Sequence, residues 1–340
     1  MATTLLPLSR SDAWWVRVFD FPRMQIYVVT LATFVLYAIF AVDPGLLSII
    51  FLVALAGCLA YQSYMMYPYT RFAGKQVQAT VRANDDSTIG LLFANVLQEN
   101  RNANELIKII RDADPDVILT VETDQWWKEK LSELEQTYPH TVMQPQDDTY
   151  GMILYSRLEL IDAEIKFMIE ENVPSIHGRV RLRSGLEVEI RCLHPPPPVP
   201  TFNDSSTERD VELLIVGKEI KKLDRPAVVF GDLNDVAWSR TNYLFQDISG
   251  LLDPRVGRGF YNTFHAKYPF MRFPLDHCFH SNHFRLVDFR RLAYYGSDHF
   301  PVYIKLSYEP DAEVEQEELE ATVSQQKEAQ EKIDEKLAET

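Results

Sequence analysis

Two stretches near the start of the chain contain no charged residue: positions 24–42, MQIYVVTLATFVLYAIFAV, and positions 46–66, LLSIIFLVALAGCLAYQSYMM. As helices rising about 1.5 Å per residue, each is long enough to cross a hydrocarbon core of roughly 30 Å. Asp43, Pro44 and Gly45 between them form a turn signal, so the pair predicts a transmembrane helical hairpin. Two buried core helices are the alternative for both runs. A cleaved signal peptide is a further alternative for the first, but it fits poorly with a second long apolar run so soon after. Trp14 and Trp15 on one flank, and Tyr61, Tyr64, Tyr67 and Tyr69 on the other, suit membrane–water interfaces. Arg10, Arg17 and Arg23 precede the runs and Arg71, Lys75 and Arg82 follow them, with no basic residue in the turn, which places both ends in the cytoplasm. The margin is a few charges, and the opposite side stays open.

The hairpin at 24–66 organises the remainder. Residues 1–23 read as an N-terminal cytoplasmic or interfacial segment, 67–86 as a polar linker, 87–308 as one domain of ordinary size, and 309–340 as an acidic tail. The formal charge of −15 is concentrated in that tail, whose twelve acids and three lysines leave only −6 for everything before it. With few large apolar residues and no aromatic ring, the tail cannot build a core, and it reads as a disordered or partly helical extension or as a helix that binds a partner. No strong basic run occurs outside the membrane flanks, which weakens the case for tight duplex binding without excluding nucleic acid as a substrate. Cys58, Cys192 and Cys278 are scattered, so neither a disulfide framework nor a thiolate metal site is expected.

Within 87–308, apolar runs at 89–96 and 117–121 flank a helix-spaced set, Leu106, Ile107 and Ile110, giving a strand, helix, strand beginning. Further strands are predicted at 152–155, 180–182, 186–193, 227–230, 275–279, 284–289 and 301–306. A helix is predicted over 208–223 from Val211, Leu214, Ile215 and Ile220. Strands outnumber helices in a mixed order, which suits a layered α/β sandwich with sheets inside and helices outside.

The ends of these apolar runs carry the chemistry. Asn95 ends the first, Glu122 follows VILTV, His194 follows VEIRCL, Asp232 and Asn234 follow AVVF, Asp276 lies in PLDHCF, and Asp298 and His299 precede PVYIKL. Side chains at strand ends converge readily into one cleft. The set is rich in oxygen ligands and poor in cysteine, as Mg²⁺ or Mn²⁺ prefers. Asp232 as base and His299 as cationic or hydrogen-bonding partner would suit attack of water on phosphorus. Singly, each has a plainer reading: GDLND as a turn, Glu122 as an acid at a helix N-terminus, His194 as a loop residue before four prolines, Ser297-Asp298-His299 as a turn, and Asp276 as partner of a nearby base.

In order, Asn95, Glu122, His194, GDLND, LDH and GSDHFP resemble the endonuclease/exonuclease/phosphatase superfamily, over roughly residues 87–307. The resemblance implies a four-layered, DNase I-like α/β sandwich and a metal-dependent hydrolase acting on phosphate esters. It also implies roles: Asn95, Glu122 and Asp298 at a Mg²⁺ or Mn²⁺ ion; Asn95 and Asn234 on the phosphate; Asp232 activating water; His299 and His194 on the phosphoryl oxygens; and Asp276 orienting His299. Tyr150-Gly151 with Ser156-Arg157 resembles a structural strand of the family, and Trp238-Ser239 falls where the family often has a substrate-side loop. A hairpin has no place in a soluble repair enzyme. The expected partners are therefore the lipid bilayer through 24–66 and a phosphate ester beside it, lipid or nucleic acid, with a catalytically idle binding scaffold as the alternative from another class.

Overall fold

The computed structural model describes residues 1–40, 45–81, 84–201 and 203–339; Asp43 and Pro44 of the turn signal, and the flanking Arg82, lie outside them. Among the described residues eleven strands form two sheets. The first contains β1 (Thr88–Asn95), β2 (Val117–Val121), β3 (His140–Gln144), β4 (Met152–Ser156), β10 (Phe284–Arg291) and β11 (Val302–Tyr308), in the order β10-β11-β1-β2-β4-β3. The second runs β5 (Glu159–Phe167), β6 (Pro174–Arg181), β7 (Glu187–Leu193), β8 (Ala227–Asp232) and β9 (Asp276–His280) in sequence order. Every residue of β1, β2, β4, β8 and β9 is buried; the inner strands β1, β2, β4 and β8 are covered on both faces and so read as largely apolar runs.

The sheets meet face to face through Leu91, Phe93, Leu119 and Leu154 on one side and Ile176, Ile190, Val228 and Phe230 on the other. Short helices α1 (Ala2–Leu5) and α2 (Trp14–Arg17) begin the chain, followed by the long apolar helices α3 (Arg23–Phe40) and α4 (Leu46–Met66). Outside the first sheet lie α5 (Ala103–Ala113) and α6 (Gln125–Leu131), which bury Leu106, Ile110 and Trp127 against Leu92, Ile118 and Ile153. Outside the second lie α7 (Thr207–Leu223) and α8 (Arg240–Ser249), with Leu213, Val216 and Phe245 packed on Ala227, Val229 and Phe279. The result is the expected four-layered sandwich.

Among the strands and helices of the domain, β3, β5, α8 and all but the last two residues of β6 escaped the sequence pattern. β3 and β5 are half-exposed edge strands, β3 with polar ends and β5 with several charges, so the alternation is weak, and α8 has a short, largely polar sequence.

The flanking segments are integrated with the domain. In the linker, Tyr69 and Val77 are fully buried, and the Tyr69 hydroxyl donates to Ala237 O at 2.6 Å. The N-terminal segment lies along the domain as well, with Ala13 bridging to Ser205 and Trp238 Nε1 donating to Asp20 O at 2.7 Å. Trp238 is therefore a buried clamp for the N-terminal segment, not a substrate-side residue, and Ser239 caps α8 by accepting from Asn242 N. In the tail, α9 (Ala312–Glu315) is followed by α10 (Val323–Glu339), which lies against α7 and α8 and buries Ala329 and Ile333.

α3 and α4 pack side by side, linked by a Tyr37–Ser48 hydrogen bond of 2.9 Å and by the Tyr37 and Phe51 rings. Both are long and apolar enough to cross a membrane, and most of their surface is left uncovered by the protein. At their root, Arg23 pairs with Asp20 at 2.7 Å and donates to Gln62, which donates to Thr4.

Candidate active site

Strand direction decides where the polar residues go. β1 and β2 are parallel and β11 is antiparallel to β1, so Asn95, Glu122 and the Asp298-His299 pair emerge at one edge of the first sheet. β7 and β8 are parallel and β9 is antiparallel to β8, so His194, Asp232 and Asp276 emerge at one edge of the second. The two edges coincide, and Asp232 sits directly opposite Asp276 in the β8–β9 register. Gly231 lets β8 approach β7 closely at this edge: a Cβ there would lie 2.0 Å from Leu193 O on β7.

His299 occupies the centre. Its Nδ1 is 2.9 Å from Asp276 Oδ2 and its Nε2 is 3.4 Å from Asp232 Oδ2, so one imidazole lies between two buried carboxylates. Burial opposes its charged form, but Asp276 and Asp232 outweigh burial and raise its pKa to about 10. Beside it, Asn95 Nδ2 donates to Glu122 Oε1 at 2.7 Å and to Asp232 Oδ2 at 3.0 Å, joining the two sheets through one amide. Tyr295 and Ser297 both donate to Asn95 O, at 2.6 and 2.8 Å, and Ser297 Oγ also accepts from His299 N. These hydroxyls fix Asn95 and His299 relative to each other. Ser297 was legible in the GSDHFP motif, whereas Tyr295 had no sequence signal.

Burial raises the pKa of Glu122 to about 7 against the opposing hydrogen bond from Asn95, and its backbone is held at φ +60°, a left-handed conformation that costs an L-residue roughly 1 kcal/mol. Burial also raises the pKa of Asp232, with His299 opposing. His194 is buried with Nδ1 unpartnered, and burial lowers its pKa to about 4, so it is neutral at pH 7. Asn234 Nδ2 donates to Pro195 O at 3.0 Å, tying the GDLND loop to the segment after His194. Arg209, with no motif to reveal it, donates to Asn234 O at 2.7 Å from the start of α7. Asp298 is half-buried with Oδ1 3.5 Å from Ser297 Oγ, and among the described residues it makes no hydrogen bond to Glu122 or Asn95. All eight expected residues thus reach one edge of the sandwich.

One ligand atom each from Asp232, Asp276 and His299 lie within 4.8 Å of one another, the grouping that distance alone would favour for a cation. A protonated imidazole has no lone pair to give, however, so that triad is better read as a hydrogen-bonded relay. Glu122 has the complementary property: a carboxylate whose ionised form is opposed by burial, and which a hard divalent cation would stabilise.

Fold and cleft together define a DNase I-like α/β hydrolase with a carboxylate–imidazole centre. The sequence matches the endonuclease/exonuclease/phosphatase family over residues 92–299, and the chain belongs to that family, whose members hydrolyse ester bonds and use divalent metals. Similar solved structures include a humanized D. rerio TDP2 carrying 14 mutations (16% identity, 65% of this chain and 99% of that one, TM-score 0.54). The human Nocturnin catalytic domain with bound sulfate is also similar (16%, 66% and 96%, 0.54), as is an endonuclease/exonuclease/phosphatase from Bacteroides vulgatus (17%, 65% and 99%, 0.54). No curated protein sequence matches the chain.

Proposed function

We propose that this protein is a membrane-anchored phosphoesterase that hydrolyses a phosphodiester or phosphomonoester beside the bilayer by metal-assisted attack of water. The observation that carries the reading is the His299 imidazolium held between Asp276 and Asp232, with the Asn95–Glu122 pair alongside. Mg²⁺ or Mn²⁺, held by Glu122 with Asn95 and Asp298, would polarise a phosphoryl oxygen and offset developing charge. Asp232, made more basic by burial, takes the proton of the attacking water. His299 donates from Nε2 to a phosphoryl oxygen, and Asp276 keeps it oriented and charged. Neutral His194 offers a second donor from the opposite sheet, and Asn234 holds the phosphate from a loop fixed by Pro195 and Arg209.

The two apolar helices, each with 18 or more uninterrupted helical residues, support insertion as a hairpin. The flanking basic residues favour a cytoplasmic catalytic domain. A green fluorescent protein fused after Thr340 would then fluoresce, whereas a dark fusion beside an active alkaline phosphatase fusion would reverse the side.

The full chain in an uncharged detergent is expected to hydrolyse bis-p-nitrophenyl phosphate or p-nitrophenyl phosphate with Mg²⁺ or Mn²⁺ and to stop with EDTA. Asp232→Ala and His299→Ala are each expected to lower turnover by about 10²- to 10⁴-fold. Turnover that survives EDTA or both substitutions would remove the assignment; a folded chain that neither turns over nor binds metal would favour an idle scaffold. A D. rerio TDP2 complexed with single-strand DNA product is a structural neighbour (19% identity, TM-score 0.51), so plasmid and single-stranded DNA are included to test the nuclease alternative.

A further inference from the structure

A groove of about 950 Å³ runs between the first turns of α3 and the catalytic domain. Its domain wall carries five arginines, Arg71, Arg258, Arg272, Arg290 and Arg291, and its lining includes no acidic residue. Arg290 pairs with Asp288 at 2.6 Å. The other four have no carboxylate partner among the described residues: Arg258 donates to the carbonyls of Pro254 and Val77, Arg272 to that of Ala266, and Arg291 to that of Asn262. Arg272 and Arg291 also both lie over one ring, 5.0 and 4.4 Å from the centroid of Phe300. Concentrating like charges in a partly desolvated groove is unfavourable without a counter-charge, and guanidinium forks match phosphate oxygens in geometry.

The facing wall is apolar. Met24, Val28 and Val29 of α3 line it, and Val28 and Val29 are 58% and 65% exposed. Phe270, 87% exposed, stands beside them because Gln25 Nε2 donates to its carbonyl at 2.6 Å. In the membrane-anchored reading α3 enters the bilayer at these first turns, so the arginines facing Met24 and Val28 lie at the membrane–water interface, and the apolar wall continues along α3 toward the hydrocarbon.

We propose that this groove is a binding site for an anionic phospholipid of the surrounding bilayer, with its phosphate among Arg71, Arg272 and Arg291 and its acyl chains along α3 and Phe270. The inference rests on the membrane-anchored reading above. It gives that reading an orientation: the groove's loop continues into Phe264, whose ring is 5.0 Å from that of His299, so a lipid seated there sets the catalytic cleft at the membrane surface.

The full chain in an uncharged detergent would be titrated with phosphatidylglycerol and with phosphatidylcholine, and one-to-one adducts measured by native mass spectrometry. Phosphatidylglycerol is expected to bind at least tenfold more tightly than phosphatidylcholine. The Arg272→Gln/Arg291→Gln double variant is expected to lose at least tenfold of that affinity, and Arg71→Gln, at an exposed position where folding is not at risk, to lose about threefold. Equal binding of the two lipids, equal binding by wild type and variants, or displacement of the lipid by inorganic phosphate or a single-stranded oligonucleotide at similar concentration would overturn the proposal. Bis-p-nitrophenyl phosphate hydrolysis by the same wild-type preparation separates the two claims. Lipid binding without turnover would sink the catalytic reading alone, and turnover without selective lipid binding would sink the groove alone.

Discussion

α4 and α10 answer opposite expectations. α4 has no charged residue among its 21, yet the protein buries only five of its side chains, including the polar Ser48 and Gln62. α10 carries eight charged residues among its 17 and is nonetheless fastened to the sandwich. Ala329 and Ile333 enter a cluster with Val211, Leu214, Leu244 and Ile248, while Lys332 reaches Asp12 at 2.8 Å and Asp210 at 2.6 Å. Arg240 pairs with Glu328 and Lys336 with Glu208 on either side. Hydropathy thus indicates the solvent in which a helix is comfortable; it does not say whether the protein itself covers that helix. A helix too polar to form a core can still dock if a few small apolar residues fit and its charges find buried partners.

The strongest way to break this contrast is to charge the uncovered face of α4. An Ile49→Lys/Val53→Lys variant, at positions 53% and 66% exposed, adds about 3 kcal/mol per lysine to the cost of insertion, so the protein should leave the membrane pellet after an alkaline wash. Unchanged retention would mean that lipid does not cover α4. Next in size is Lys332→Met, which leaves the buried Asp210 with Arg209 as its remaining charged partner beside the Ser206 hydroxyl and should cost roughly 2 to 3 kcal/mol in chemical denaturation. Because Arg209 also donates to Asn234 O, the same substitution should reduce turnover severalfold, whereas a tail that merely rests on the domain would leave turnover alone.

Glu212 sharpens the electrostatic half of the comparison. It shares α7 with Asp210, but Oε1 has no partner, and burial, reinforced by Glu170, raises its pKa to about 8. Between the unfolded value of about 4.3 and that value the folded chain keeps a proton that the unfolded chain releases, so stability falls as pH rises through the window. Glu212→Gln should therefore raise the melting temperature at pH 8 and leave it nearly unchanged at pH 4; an equal effect at both would contradict the buried neutral acid. The smallest effect is expected at Val323→Lys, 83% exposed at the start of α10, which should change neither melting temperature nor membrane retention by more than experimental error.

The candidate catalytic centre was far more legible than its supports. Asn95, Glu122, His194, Asp232, Asp276 and His299 each end or precede an apolar run, so the pattern that marks a strand also marks the residue at its edge. Tyr295 and Arg209 carry no such mark. Their value lies in reaching Asn95 O and Asn234 O, 200 and 25 residues away in sequence. Trp238 shows the reverse error, because proximity to GDLND suggested a substrate contact while its indole donates instead to Asp20 O.

By itself the sequence determined two helices able to span a membrane, the inner strands of a layered sandwich and the polar residues at their ends, because periodicity, length and charge are local properties. Only the tertiary structure decided that one imidazole lies between Asp276 and Asp232, that four arginines without carboxylate partners among the described residues face the root of α3, and that an acidic tail and a nominal linker belong to the body of the domain. Those outcomes depend on strand register and on contacts between segments hundreds of residues apart, whose energy exists only once the chain has folded.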